Sequence, residues 1–249
     1  GYLTPDSIGL SGSNLEKYKR AIHCTSGVVL IAGPTGSGKS STMNTMISQL
    51  NTEEVNLVTL EDPVEYNIDG VNQVQINEKT GMDFANGLRA ILRQDPDIIA
   101  VGEIRDGETA QISMRAAITG HVVLSTIHTN DAVGTIERLE DIGVEPYLIA
   151  TALRGVISQR LVRRICPKCK KSYEASDEEV RRLGLSTERK HIFYRGEGCA
   201  DCFNTGYRGR IGVFEILEIT PELRTIISQE AGRPAIEKEL ASDRSEFKT

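Results

Sequence analysis

Gly33-Pro34-Thr35-Gly36-Ser37-Gly38-Lys39-Ser40 follows closely on the apolar run Val28-Val29-Leu30-Ile31 and leads, through Ser41, into a helix-like segment. The spacing is G-x-x-x-x-G-K-[ST], and its place between a strand and a helix gives it a weight that the pattern alone lacks. The glycines let the backbone bend until successive N–H groups converge on phosphate oxygens, and the helix N-terminus adds positive dipole. Lys39 is placed to neutralise the outer phosphates and Ser40 to offer an oxygen to Mg2+. Residues Gly33 through Ser41 are therefore read as a nucleotide phosphate cradle.

Outward from this loop, short β-branched runs alternate with helical patterns. Val28 to Ile31, Val55 to Leu60, Ile98 to Val101 and Val122 to Leu124 read as buried strands. Phe84, Leu88, Ile91 and Leu92 form one amphipathic stripe, and Val133, Ile136, Leu139 and Ile142 another. The alternation predicts an α/β fold, with a mainly parallel sheet covered by helices. Asp69-Gly70 between apolar positions predicts a hairpin over 66–71. Ser176 with Glu179 predicts a capping box closed by Gly184, and Thr220-Pro221 predicts a further helix start. The stretch from Glu230 to Thr249 is polar and weakly patterned. The expected organisation is 1–26 as the remnant of an N-terminal region or linker, 27–164 as the nucleotide domain, 165–229 as a cysteine-rich element returning to the core, and 230–249 as a tail.

The 249 residues carry 29 Lys plus Arg against 35 Asp plus Glu, a net charge of -6, with no Trp and 5% aromatic residues. That balance disfavours a protein that grips nucleic acid by phosphate neutralisation and base stacking. No apolar run approaches the roughly 20 residues needed to span a bilayer, so any membrane contact is expected to be peripheral.

Hydrolysis needs carboxylates near the metal and the attacking water. The run Ile98 to Val101 ends in Gly102-Glu103, which places Glu103 at the carboxyl end of a core strand, where ligands bind in open α/β sheets. A Glu in place of the usual Asp would reach Mg2+ through a water. Glu61-Asp62-Pro63-Val64-Glu65 follows another strand and is expected on the same edge. His121 and His128 bracket the strand that begins at Val122, and His128, ahead of His121, is the candidate for γ-phosphate sensing or for work close to the metal.

Cys166-Pro167-Lys168-Cys169 and Cys199-Ala200-Asp201-Cys202 form two C-x-x-C pairs separated by 29 residues. Four thiolates can close a tetrahedral Zn2+ site with no position left for water, which makes the expected role structural. Cys24 has no sequence partner and reads as a small buried apolar residue.

Together these motifs resemble the bacterial secretion ATPases of type IV pilus assembly and type II secretion. Leu60 to Tyr66 looks like that family's Asp box, Leu92 to Asp106 its Walker B region, and Gly120 through Ala132 its His box. The resemblance implies a RecA-like P-loop core with C-terminal helices, working as a homo-hexamer on ATP with Mg2+ and Zn2+. It implies that Glu65, or failing that Glu61, activates water, and that an inner-membrane platform protein receives the motion. It also implies a cytoplasmic protein at the inner membrane, and one or two N-terminal domains of which only the end fits before Ser26. The tetracysteine element resembles that of the assembly and secretion branch rather than the retraction branch. Arg208 to Gly212 resembles a basic family segment and reads equally well as a surface turn. Asn44 departs from the aromatic residue of many relatives, and the pattern is lost after Gln229. The rival readings are a DNA-uptake or conjugation motor of the same superfamily, another RecA-like nucleic-acid motor, and a nucleotide-binding scaffold without turnover.

Overall fold

The computed structural model describes residues 3–245, with side chains through Ser242. Gly1, Tyr2 and the last four residues of the expected tail lie outside the described residues. Two compact units are present, Gly1–Arg160 with Gly212–Thr249, and Leu161–Ile211.

The first unit opens with α1 (Pro5–Ile8) and α2 (Gly12–Ile22), after which come β1 (Gly27–Ala32), α3 (Lys39–Leu50), β2 (Leu57–Glu61) and β3 (Asn72–Gln75). The chain continues through α4 (Phe84–Leu92), β4 (Ile98–Val101), α5 (Gly107–Ile118), β5 (Val122–Ile127), α6 (Ala132–Asp141) and α7 (Pro146–Ala152). The long β6 (Leu153–Ile165) then carries the chain into the second unit. That unit holds β7 (Lys170–Glu174), α8 (Asp177–Arg182) and β8 (Ile192–Gly196), and the chain returns along β9 (Tyr207–Glu218) to α9 (Pro221–Ser228) and α10 (Gly232–Ser245).

Seven strands form one sheet in the order β3-β2-β4-β5-β1-β6-β9. β1 runs parallel to both β5 and β6, β4 to both β2 and β5, and β2 to β3. The central strands are buried on both faces, which is why they read as unbroken apolar runs. Their side chains alternate between two cores. Val28, Leu30, Ile99, Val101 and Val123 pack with the side of α4 to α7. Val29, Ile31, Ile98, Ala100 and Leu124 pack with the side of α2 and α3.

One expectation, the hairpin, changes. Asp69-Gly70 is a turn, with Gly70 at φ 78°, but no hairpin forms, because residues 66–68 are not a strand and β3 pairs parallel to β2. Within residues 3–26, Leu10, Tyr18 and Ile22 are fully buried in the α2–α3 core. The polar tail is helical from Gly232 through Ser245, and in it Arg233 reaches Asp131, the cap of α6, and Glu137 on α6, while Ile236 is buried. The capping box at Ser176 and the helix start at Thr220 form as expected from the sequence.

Candidate nucleotide site and tetracysteine cluster

The cradle 33–38 joins the end of β1 to α3. Gly38, the residue before α3, is left-handed at φ 88°, a conformation that suits glycine. Gly33 sits where a Cβ would meet Ser37 Oγ at 2.4 Å and the Gln159 carbonyl at 2.6 Å. Lys39 folds back so that its Nζ donates to the Gly33 carbonyl at 2.6 Å and the Pro34 carbonyl at 3.4 Å. Burial pushes the Lys39 ammonium below its ordinary value, while Glu103 acts in the opposite sense.

The carboxyl ends of β2 and β4 meet the N-terminal turn of α3 at one cavity of about 250 Å³. Lys39 and Ser40 from α3 line it, as do Glu61 and Glu65 after β2 and Glu103 after β4. Parallel strands bring this about, since every strand tip with its following turn opens on the same edge. Thr59 Oγ1 (2.7 Å) and Gln73 Nε2 (2.9 Å) both donate to Glu61 Oε2. Arg105 holds Glu103 at 2.6 Å. Glu65 is exposed, and among the described residues no hydrogen bond or ion pair engages its side chain.

His128 is not brought to this wall. β5 ends at Ile127, and the next side chain turns to solvent. His121 lies at the opposite ends of the strands, where its Nδ1 is 2.6 Å from the Pro96 carbonyl. Ser41 lines a separate, wider groove with Asn44 and Tyr66. Sequence reasoning missed Arg105, although it stands two residues past Glu103. It also missed Gln159 and Gln73, whose roles depend on which strands become neighbours.

In the second unit the four Sγ atoms of Cys166, Cys169, Cys199 and Cys202 lie within 4.8 Å of one another, a set that could hold a metal ion. Sulfurs at the corners of a Zn tetrahedron with Zn–S of about 2.3 Å stand about 3.8 Å apart. Here Cys166–Cys199 and Cys169–Cys202 are 3.9 Å apart and Cys199–Cys202 3.7 Å, so the set fits zinc. Backbone N–H groups of Gly198, Cys199 and Gly206 point at Cys169 or Cys202 sulfur, as thiolates require. Burial raises the Cys202 thiol, but the Cys199 and Gly206 N–H groups and the neighbouring thiols prevail and lower it, while burial and the other three thiols raise that of Cys169. Cys24 is half-buried against the α2–α3 core, and burial pushes its thiol up.

The profile of a family described as "Type II/IV secretion system protein" matches residues 3–249. Over 94% of its length the chain is 49% identical to "Type II secretion system ATPase E" of Vibrio cholerae, of which it covers 46%. Over 95% of its length it is 49% identical to "Type IV pilus assembly ATPase PilB" of Thermus thermophilus, of which it covers 27%. Thus it spans half the length or less of these curated relatives. The crystal structure of the pilus retraction motor PilT with bound ADP superposes with a TM-score of 0.69 at 32% identity, covering 96% of this chain and 60% of that one. A parallel sheet, a cradle at its carboxyl edge and a match over nearly the whole chain agree: this chain belongs to the type II/IV secretion system protein family.

Proposed function

We propose that this chain is the ATP-hydrolysing part of a homo-hexameric motor that powers type II secretion or type IV pilus assembly. The reading is carried by the one cavity on whose wall Lys39, Ser40, Glu61, Glu65 and Glu103 stand together.

ATP binds with its phosphates against Gly33–Ser41 and Lys39 beside them. Water attacks the γ-phosphorus, its proton passes to Glu65, and the bond to the β–γ bridging oxygen breaks to give ADP and phosphate. Glu65 suits that task because its carboxylate is unengaged, whereas Glu61 is held by Thr59 and Gln73. Lys39 balances the charge that grows on the leaving ADP. Magnesium, when bound, supplies charge neutralisation between the phosphates; Ser40 would hold it directly and Glu103 through a water. His128 would approach the γ-phosphate only if its segment moved toward the cavity.

Zinc in the tetracysteine set would staple the Leu161–Ile211 unit, and four thiolates leave it no catalytic position. The secretion and pilus-assembly names of the 49% identical relatives favour an export motor over retraction. In that setting the chain works at the cytoplasmic face of the inner membrane against a platform protein. Among the described residues no helix is long and apolar enough to cross a membrane.

The test is nucleotide binding and phosphate release by Lys39→Ala, Glu65→Gln and Glu103→Gln chains. The first should lose ATP binding, and the other two should bind ATP and lose turnover. Turnover that rises only with added DNA would favour a nucleic-acid motor.

A further inference from the structure

We propose that Gln159, on β6, is a positioning residue that aims the phosphate cradle at its ligand. The inference rests on reading Gly33–Ser41 as that cradle. Gln159 is 3% exposed, and the hydrogen bonds of its amide go to the loop and to the helix that follows it. Nε2 donates to the Ser37 carbonyl at 2.7 Å, and Oε1 accepts from the Thr42 hydroxyl at 2.5 Å. One side chain thus grips the loop on both sides of Gly38, once in the turn and once in the first turn of α3.

The consequence follows from peptide geometry. In a planar trans peptide the C=O and the following N–H point in opposite directions. Fixing the Ser37 carbonyl toward Gln159 therefore turns the Gly38 N–H away from β6, on the side open to an anion. Among the described residues none accepts a hydrogen bond from that N–H. The missing side chain at Gly33 lets β6 approach closely enough for this grip, since a Cβ there would lie 2.6 Å from the Gln159 carbonyl oxygen.

An amide is the group the site needs, because it must donate on one side and accept on the other. A carboxylate would set two acceptors against each other at Ser37. Its protonated form would again donate there and accept from Thr42. Gln159→Glu should therefore bind nucleotide poorly at pH 8 and recover affinity as the pH is lowered, whereas a purely space-filling residue shows no such recovery.

The experiment titrates a fluorescent ATP analogue with Mg2+ into the whole chain and its Gln159→Met, Gln159→Glu and Thr42→Val variants, from pH 5.5 to 8. Folding is checked in each by circular dichroism. Gln159→Met is expected to weaken binding roughly tenfold to hundredfold, the equivalent of one misdirected hydrogen bond between the Gly38 N–H and a charged phosphate. Thr42→Val should weaken it less, because the Ser37 contact remains. Native affinity in Gln159→Met, or a Gln159→Glu affinity that tracks the parent at every pH, would overturn the inference. If Gln159→Met is misfolded, the pH profile of Gln159→Glu relative to Thr42→Val decides. Lys39→Ala is titrated alongside: native affinity there would mean that the cradle reading itself fails, while lost affinity there with an unaffected Gln159→Met would reject only the role of Gln159.

Discussion

Arg105 donates to Glu103 Oε1 at 2.6 Å, and the same guanidinium nitrogen stands 3.7 Å from Asp62 Oδ2. It ties the turn after β4 to the turn after β2, the two acid-bearing corners of the candidate site, and it lies 5.5 Å from the Phe84 ring centre. With all three charged side chains substantially exposed, the pairs contribute at most about 1 kcal/mol to stability. Their larger effect is to offset the negative charge of Glu103.

Arg105→Ala should consequently leave the melting temperature almost unchanged and shift the magnesium dependence of nucleotide binding to lower metal concentration, by several-fold. Calorimetric titrations at a series of Mg2+ concentrations would show this. An unchanged magnesium dependence would mean that Glu103 does not face the metal.

Gly33→Ala forces a Cβ to within 2.6 Å of the Gln159 carbonyl, which is backbone and cannot swing aside. Overpacking of this kind costs about 1–3 kcal/mol. The variant should unfold at lower denaturant concentration and bind ATP at least about tenfold more weakly. Chemical denaturation and equilibrium nucleotide titration read the two effects separately.

The Arg233 guanidinium, with help from the Gly134 N–H, holds the Asp131 carboxyl below its usual range. Because the folded pKa is the lower one, the contribution to stability is full above the unfolded value of about 4 and fades as the pH falls through the folded value. Asp131→Asn can keep the cap on Gly134 but loses the ion pair. The pair is partly exposed, so screening limits the loss to roughly 0.5–1 kcal/mol at pH 7. The gap from the parent should close below about pH 4 in urea melts.

Within Leu161–Ile211 the buried apolar side chains are Cys166, Val180 and Cys202. So thin a core needs a staple. Removing metal from the tetracysteine set should speed amide exchange throughout this unit while leaving nucleotide affinity within about twofold, since metal binding and local folding are linked. Exchange rates unaltered after confirmed zinc loss would argue against a structural metal.

The sheet was legible where strands are buried on both faces. β1, β4 and β5 show as continuous β-branched runs because each side chain enters one core or the other. β3, Asn72–Gln75, is a polar edge strand with one neighbour, and nothing in its composition announces it. The Asp-Gly turn was legible as a turn, but a hairpin also needs a strand on its near side, and residues 66–68 supply none. α10 lacks an obvious apolar stripe and is held by Arg233 and Ile236, contacts that exist only once α6 is in place. In the site, Glu61, Glu65 and Glu103 could be placed from strand ends alone. Gln159 could not, because its reach to Ser37 depends on β6 lying beside β1, a matter of strand order rather than spacing.

The central claim is that the acids after β2 and β4 and the cradle after β1 serve one triphosphate. A crystal structure of the chain with Mg2+ and a non-hydrolysable ATP analogue tests it most directly. The account predicts phosphate oxygens on the backbone N–H groups of Gly36 to Ser40 and the γ-phosphate facing Glu65 and Glu103. An analogue seated elsewhere, or a γ-phosphate from which both carboxylates turn away, would contradict it.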